Sequence, residues 1–208
     1  MKKLYKLCVV GSGRWGLNHV KTLDRLNALG GVVDKNKTII DQIALDFPNC
    51  KTFHSLKDSF DYGFDGYIVA SPPKTHFKIA KKIIEEGKPV LVEKPITLSL
   101  EDSKELNELA KLKGVNLMVG HLLLFHPAFV KIKELIDGGK IGNIQYIYSN
   151  RLNLGSFRND ENVLWSFAPH DISLFNYFFS ETPKKITSSG VDILQQGIHD
   201  TSITTFKY

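Results

Sequence analysis

The sequence is poor in cysteine and has no long hydrophobic run. Two cysteines among 208 residues, Cys8 and Cys50, form neither a CxxC pair nor an even framework. This argues against a disulfide scaffold or a structural zinc site, and for a reducing compartment. No stretch approaches the roughly 18 apolar residues that a membrane helix needs. The apolar run behind the basic start, MKKLYKLCVVGSG, is too short for a signal peptide. We therefore expect a cytoplasmic protein outside membranes.

Charges of both signs are interspersed along the predicted helices. The chain has 27 basic and 22 acidic residues, a formal net charge of +5. Lysines alternate with acidic residues in KKIIEEGK and LEDSKELNELAKLK, a pattern typical of solvated helix faces. Nucleic-acid binding is therefore not expected, whereas a small ligand that bears phosphate fits the modest basic excess.

The first part of the chain alternates apolar β-type runs with segments of helical period. The runs include KLCVV, GGVVD, GYIVA, PVLVEK and NLMVGH, and the intervening helices are predicted near 14–29, 37–47, 75–86 and 100–113. Six short strands alternating with helices predict a doubly wound parallel sheet with helices on both faces. We assign residues 1–121 to a domain of this kind, a Rossmann domain.

After residue 121 the pattern changes. A helix is predicted near 127–136, a strand over NIQYIYSNRLNL (143–154), and a helix that begins after Pro169. Two further strands are predicted in KITSSGVDIL and TSITTFKY. The α/β Rossmann domain is therefore expected to be followed by an incomplete α+β domain with a mainly antiparallel sheet, residues 122–208, for substrate binding and oligomerisation.

The first strand runs into the glycine-rich motif GSGRWG, which has the GxGxxG spacing. Gly11, Gly13 and Gly16 are expected to permit a tight turn, close approach of the backbone to a pyrophosphate, and close helix–strand packing. The helix that follows offers unpaired N–H groups and the positive end of its dipole to phosphates. This context predicts a dinucleotide site.

An acidic residue ends the second predicted strand. Asp34 can accept hydrogen bonds from the adenosine ribose hydroxyls and repels a 2′-phosphate, so NAD is favoured over NADP. Lys35 and Lys37 would tolerate a phosphate, which keeps NADP as the weaker alternative. The Rossmann domain of residues 1–121 is therefore expected to bind NAD.

Two other predicted strands end in distinctive loops. ASPPKTH, with Ser71, Pro72 and Pro73, is either a rigid loop against the cofactor or an ordinary stiff turn. PVLVEKPITLS ends its strand on Glu93 and Lys94. Ligands in open α/β sheets lie outside the carboxyl ends of the strands, so both loops are expected at the site.

These motifs resemble a known family. GSGRWGLNH, VVD, ASPPKTHF and above all VLVEKPI resemble the glucose-fructose oxidoreductase / inositol dehydrogenase / MocA family of sugar dehydrogenases. MVGHLLLFHPAFVKIKELIDGGKIGNI and NRLNLGSFRNDENVLWSFAPHDIS resemble the branch that acts on UDP-N-acetylglucosamine-type sugars, particularly its 3-dehydrogenases. The resemblance covers essentially the whole chain.

The resemblance implies two catalytic residues. The lysine of the family's EKP motif falls on Lys94, where it would touch nicotinamide and the reacting hydroxyl, and the family's histidine falls on His170. An imidazole suits removal of a hydroxyl proton, and a lysine can polarise the alcohol. The chain has Ser166 and Ser173 where many members carry acids, so no carboxylate is assigned to a triad.

The predicted binding residues fall into two groups. The cofactor-binding residues are Gly11, Ser12, Gly13, Arg14, Trp15, Gly16, Asp34, Ser71, Pro72, Pro73, His76, Glu93 and Lys94. The substrate-binding residues are Arg151, Asn153, Arg158, Asn162 and Trp165, which could equally form a polar sheet face with one buried tryptophan. The histidines show no metal-ligand spacing, and no metal is expected.

The resemblance also implies a function and partners. The leading hypothesis is NAD-dependent oxidation of the 3-hydroxyl of a UDP-N-acetylhexosamine, a small-molecule UDP-sugar. The alternatives are a polyol or hexose dehydrogenase of the same family, and a non-catalytic NAD-binding module. Proteins that resemble this chain continue beyond the position of Tyr208 and complete a larger sheet. A homo-oligomer assembled through the second domain is therefore expected.

Overall fold

A computed structural model describes residues 4–152 and 162–208, which form two compact units divided after Gly120. The strands of the first unit are β1 (Leu7–Val10), β2 (Leu29–Val33), β3 (Lys51–Phe53), β4 (Gly66–Val69), β5 (Val90–Val92) and β6 (Leu117–Val119). Its helices are α1 (Gly16–Arg25), α2 (Lys37–Asp46), α3 (Leu56–Phe60), α4 (His76–Glu85) and α5 (Leu100–Lys113), with a 3₁₀ turn at Pro73–Thr75.

The six strands form one parallel sheet in the order β3-β2-β1-β4-β5-β6. The order reverses between β1 and β4, and in such sheets ligands bind at the carboxyl ends of the strands beside this reversal. The glycine-rich motif follows β1, and Ser71 follows β4. The fold therefore brings two of the predicted loops to the reversal point.

Both faces of the sheet are buried, which explains the unbroken apolar runs in the strands. One cluster includes Cys8, Tyr67, Val92, Ile83 and Leu106 with their neighbours. The other cluster packs α1 and α2 against the opposite face. The predicted doubly wound sheet is confirmed.

Local chemistry sets the helix ends. The Ser99 hydroxyl accepts the Asp102 N–H at 3.2 Å and begins α5, as predicted. The α1 helix is shorter than the predicted span of 14–29: it ends at Arg25, because Asn27 adopts a left-handed conformation (φ +55°) and β2 already begins at Leu29. Apolar residues continue at helical spacing past Arg25, so the sequence pattern does not indicate where α1 ends.

The second unit begins with a 3₁₀ turn, Leu122–Phe125, followed by α6 (Pro127–Asp137) and α7 (Val163–Phe179). β7 (Lys185–Val191) and β8 (Thr201–Lys207) form an antiparallel pair in which Ile186 lies opposite Phe206. This α+β unit with an antiparallel sheet agrees with the predicted fold class. The assignment of 1–121 to NAD binding and of 122–208 to substrate binding and oligomerisation stays a prediction.

Two expectations for the second unit are wrong. The α7 helix does not begin after Pro169 but contains it: the helix starts at Val163, where the Asn162 side chain accepts the Trp165 N–H at 3.0 Å. Proline cannot donate the backbone hydrogen bond of a helix, but burial of Leu174 and Phe178 stabilises α7 enough to compensate for this loss.

The strand predicted from residue 143 onwards is also absent in the part of it that the structure describes. Apolar and polar side chains partly alternate over residues 143–152, but a strand forms only where a neighbouring strand accepts and donates backbone hydrogen bonds. Residues 153 and 154 of that predicted strand lie outside the described residues.

Within the described ranges, no helix is both long and apolar enough to cross a membrane.

Candidate functional site

Close backbone contacts shape the glycine-rich loop after β1. Gly11 has φ +89°, and a Cβ there would lie 2.7 Å from the backbone N and Cα of Ser71. A Cβ on Gly16 would lie 1.9 Å from the Gly11 carbonyl oxygen. No side chain fits at either position, so these glycines allow the loop, the start of α1 and the end of β4 to meet.

Gly13 has different surroundings. A Cβ added at Gly13 would meet no heavy atom of the described residues within 4 Å, so the loop is open at this point. Arg14 is exposed next to it, and α1 begins at Gly16. An open glycine at a helix start leaves room for a pyrophosphate to approach the backbone. The loop therefore fits a dinucleotide.

The Asp34 carboxylate anchors the same loop. Its Oδ2 accepts the Ser12 N–H at 2.7 Å and the Ser12 hydroxyl at 2.9 Å, and its Oδ1 accepts the Asn36 N–H at 2.9 Å. Two carboxylate oxygens offer about four acceptor positions, so Asp34 has capacity for a ribose hydroxyl besides these bonds. Its negative charge disfavours a 2′-phosphate.

The loop after β4 is held by its own side chains. The hydroxyls of Ser71 and Thr75 lie 2.7 Å apart, and Thr75 also donates to the Pro72 carbonyl at 2.7 Å. Pro73 opens a 3₁₀ turn, and Pro72 is exposed. The geometry is that of a stiff loop, and the close approach of Gly11 places it against the glycine-rich loop.

His76 is predicted as a cofactor contact, but its ring faces the protein interior. The residue is 1% exposed, its Nδ1 lies 2.8 Å from the Pro95 carbonyl oxygen, and its Nε2 lies 2.7 Å from that of Ser71. Both ring nitrogens are therefore within hydrogen-bond distance of backbone carbonyls. His76 links the loop after β4 to the residues after β5.

Glu93, directly after β5, is a buried acid with contacts to other elements. It is 7% exposed, and its Oε1 accepts the Trp15 indole N–H at 2.7 Å and lies 2.7 Å from His19 Nε2. Its Oε2 accepts the Lys94 backbone N–H at 3.3 Å. Burial raises the pKa of Glu93, but the hydrogen bonds from His19 and Trp15 outweigh burial and hold the pKa below its ordinary value. Glu93 is thus ionised, and its contacts with Trp15 and His19 connect the end of β5 to α1.

Lys94 follows Glu93 at the carboxyl end of β5, which lies between β4 and β6 in the sheet. The peptide between Lys94 and Pro95 is cis. Through Glu93 and Trp15, the lysine backbone is connected to the glycine-rich loop. This edge of the first unit therefore collects the predicted cofactor residues around the EKP lysine.

In the second unit, the Asp171 carboxylate next to His170 is the centre of a polar group. Arg151 donates to it from Nε at 3.1 and 3.2 Å and from a terminal nitrogen at 3.0 Å, and the Ser149 hydroxyl donates at 3.1 Å. Arg151 is predicted to bind substrate, but the Nε edge of its guanidinium already donates hydrogen bonds to the Asp171 carboxylate.

The other predicted substrate residues differ in their surroundings. Asn162 caps α7, and Trp165 is 41% exposed one turn into that helix. Asn153 and Arg158 lie outside the described residues. Their substrate-binding roles stay predictions.

Sequence reasoning missed the contact of His19 with Glu93 and that of Asp171 with Arg151. His19 lies four residues after Trp15, the residue that caps α1, so the two side chains lie on the same side of the helix start. That spacing could have suggested a shared partner for the two side chains, but the partner, Glu93, is 74 residues away along the chain.

The chain was compared with known proteins. The model of an oxidoreductase family with an NAD-binding Rossmann fold (GFO/IDH/MocA) matches residues 5–121. The scyllo-inositol 2-dehydrogenase (NAD(+)) of Bacillus subtilis is 29% identical over 201 residues, which cover 91% of this chain and 58% of that protein. The UDP-N-acetylglucosamine 3-dehydrogenase of Acidithiobacillus ferrooxidans is 29% identical over 184 residues, 88% of this chain and 57% of that protein.

Among solved structures, the WlbA dehydrogenase of Bordetella pertussis in complex with NADH and UDP-GlcNAcA superposes with a TM-score of 0.84 at 20% identity. The match covers 99% of this chain and 64% of that chain, and it supports the fold. The chain thus spans a little under three fifths of the two curated relatives above. The family model covers more than half of the chain and describes an NAD-binding fold, which confirms NAD as the predicted cofactor. This chain belongs to the GFO/IDH/MocA oxidoreductase family.

Proposed function

We propose that this chain binds NAD over its glycine-rich loop and forms the redox part of a dehydrogenase that oxidises a hydroxyl of a sugar or polyol. The family match and the activities named for the two curated relatives support the class of reaction. Because the chain spans only part of those relatives, the complete activity belongs to the proposal.

The observation that carries the proposal is the position of Lys94. It leaves the carboxyl end of β5 and is connected through Glu93 to Trp15 of the glycine-rich loop. NAD, when bound, accepts a hydride from the carbon that bears the hydroxyl. Lys94 would donate a hydrogen bond to the hydroxyl oxygen and stabilise the negative charge that develops there. The lysine therefore orients and polarises the alcohol.

His170 is proposed as the base that takes the hydroxyl proton. Imidazole titrates near neutral pH and can accept a proton from one partner and pass it on. Asp171, the next residue, is held by Arg151 and Ser149 in the described structure. These contacts connect α7, at the residue next to His170, to residues 149–151.

The finer proposal for the substrate is the 3-hydroxyl of a UDP-N-acetylhexosamine. Its support is the likeness to the UDP-N-acetylglucosamine 3-dehydrogenase and the resemblance of the residues around α7. A polyol such as an inositol is the second candidate, supported by the likeness to the scyllo-inositol 2-dehydrogenase. The engagement of Arg151 by Asp171 favours the polyol, because a diphosphate would compete for the same edge of the guanidinium.

The test is to incubate the chain with NAD and each substrate of a panel, and to monitor the reaction by the absorbance of NADH. UDP-N-acetylglucosamine, UDP-N-acetylgalactosamine, scyllo-inositol, myo-inositol and glucose cover both candidates. With the active substrate, Lys94→Ala should lower kcat by about 10²- to 10⁴-fold while NAD binding persists. Lys111→Ala, at an exposed position of α5, is the matched control and should leave kcat unchanged. Equal rates for both variants would reject the role of Lys94.

A non-catalytic NAD-binding module is the other class of function. It is kept as an alternative because the chain spans 58% and 57% of the two curated relatives above, whose whole activity is not carried over to it. Calorimetry that detects NAD binding, together with no NADH formation on any substrate of the panel, would select this alternative.

A further inference from the structure

The backbone around Lys94 is held from both sides by histidines that no part of the proposed chemistry uses. Residues 93–95, here called the lysine turn, follow β5 directly. On the amino-terminal side, His19 contacts the Glu93 carboxylate at 2.7 Å. On the carboxyl-terminal side, His76 contacts the Pro95 carbonyl at 2.8 Å. Each histidine comes from a helix that begins at a predicted cofactor loop.

The His76 contact joins two loops rather than two parts of one loop. Its second ring nitrogen lies 2.7 Å from the Ser71 carbonyl, in the loop after β4 that packs against Gly11. A carbonyl can only accept, and a neutral imidazole donates from one ring nitrogen only. One of the two contacts is therefore an N–H···O=C hydrogen bond in either neutral tautomer, and the other ring nitrogen lies against the second carbonyl. At 1% exposure, water does not replace either contact.

The His19 contact connects the lysine turn to the glycine-rich loop. His19 and Trp15 share Glu93 Oε1, and the other oxygen of Glu93 accepts the Lys94 N–H. A Cβ at Gly120 would come within 3.0 Å of this carboxylate, so the end of β6 packs against it from another side. Glu93 has little room to turn, and its hydrogen bonds determine where the Lys94 backbone lies.

We propose that His19 and His76 are positioning residues that hold the lysine turn between the two cofactor loops and thereby set the place of Lys94. A backbone tied at the residues before and after Lys94 leaves only the lysine side chain to move. Displacements of about 1 Å at a reacting group can cost on the order of 10²-fold in rate, so such anchoring matters for an enzyme. The inference rests on the proposed function only for the role of Lys94 in catalysis.

The two contacts of His76 can be removed separately. The side-chain nitrogen of His76→Asn occupies the place of Nδ1 and can still donate to Pro95, whereas that of His76→Gln occupies the place of Nε2 and can still donate to Ser71. His76→Phe removes both donors and keeps a ring. For His19, the Gln variant keeps a donor at the place of Nε2 toward Glu93, and the Phe variant does not.

The first measurement is hydrogen–deuterium exchange of the peptide over residues 90–99, with the intact chain and without NAD. His76→Phe, His76→Gln and His19→Phe should each speed exchange there by about fivefold, the effect of losing one hydrogen bond. His76→Asn and His19→Gln should stay within about twofold of the parent chain. Peptides from α2 serve as the internal reference for global unfolding.

The second measurement separates positioning from a general structural role. His76→Gln should lower kcat by about tenfold with little change in the NAD dissociation constant, because only the contact with the lysine turn is lost. His76→Asn should do the reverse and weaken NAD binding in calorimetry by about fivefold, because only the contact with the Ser71 loop is lost.

The outcomes are distinguishable from failure of the proposed function. If no substrate is turned over by the parent chain, the exchange and calorimetry arms still decide the inference. Equal exchange for the Asn, Gln and Phe variants of His76, or unchanged exchange in all of them, would overturn it. If the Asn and Gln variants of His76 lose the same amount of kcat and the same amount of NAD affinity, His76 has a general structural role and does not position Lys94.

Discussion

The two regions that carry the proposed chemistry are stabilised in different ways. In the first unit, Lys94 leaves a sheet that is buried on both faces, and its neighbours Glu93 and His76 are buried with hydrogen bonds to other elements. In the second unit, the polar group next to His170 consists of a partly exposed ion pair. The first arrangement depends on core packing, and the second depends on charge at a surface.

The sheets of the two units show the same contrast. The strands β1, β2, β4 and β5 bury most of their apolar side chains, whereas all seven residues of β7 are exposed and β8 alternates between exposed and half-buried. Perturbations of the first unit should therefore act through packing and close contacts. Perturbations of the second should be small and sensitive to salt.

The largest effect is expected at the glycine-rich loop. Gly16→Ala should lower the free energy of unfolding by about 4 kcal/mol, because its Cβ would overlap the Gly11 carbonyl. Gly13→Ala is the matched control: it meets open space and should change stability by less than about 1 kcal/mol, yet weaken NAD binding. Urea unfolding and calorimetry measure the two quantities. A stable Gly16→Ala variant would contradict the close contact.

The second-largest effect is expected when one apolar side chain is truncated in the first unit, and the same truncation in the second unit gives the comparison. Leu106→Ala should cost about 3 kcal/mol, because Leu106 is 0% exposed in the core beneath α5. Ile203→Ala should cost less than about 0.5 kcal/mol, because Ile203 is 76% exposed on β8. Tryptophan fluorescence in a Trp165→Phe background follows the first unit alone, and circular dichroism follows the whole chain. A cost of about 2 kcal/mol or more at Ile203 would show that this face is covered in solution.

A smaller effect is expected from the Glu93 carboxylate. Glu93→Gln should cost about 2 kcal/mol at neutral pH, since hydrogen bonds from His19 and Trp15 lose a charged acceptor. The Glu93 pKa lies below its ordinary value of 4.5 in the folded chain, so its stabilisation is complete above pH 4.5. It is lost as the pH falls through the folded-state pKa.

The stability difference between the parent chain and Glu93→Gln should therefore shrink in acid. Unfolding by urea at neutral pH and at successively lower pH values measures this difference. A difference that stays constant through acid pH would show that the charge of Glu93 contributes nothing.

The smallest effect is expected at the ion pair of the second unit. Asp171→Asn should lower stability by about 1 kcal/mol at low salt and by less at high salt, because Arg151 is partly exposed and the pair is screened. Thermal unfolding at two salt concentrations measures this. Glu181→Gln is the control, since its contact with Lys184 is exposed and 3.8 Å long. Salt-independent destabilisation by Asp171→Asn would indicate a buried role instead.

The first domain was predictable because its signals are local. Strand runs, helix periods and the GxGxxG spacing all lie within short stretches, and six parallel strands follow from their alternation. The second unit was less predictable. Its 143–152 stretch reads as a strand, but a strand exists only where another strand offers hydrogen bonds. The helix through Pro169 likewise depends on packing that outweighs a local breaker.

The sequence by itself determined the class of fold, the dinucleotide loop and the lysine at the end of β5, because each is written in neighbouring residues. Only the tertiary structure decided that His76 faces inward to two carbonyls and that Glu93 is shared by Trp15 and His19. These contacts join residues that are far apart along the chain. Their energies come from burial and hydrogen-bond geometry, which exist only once the strands have paired.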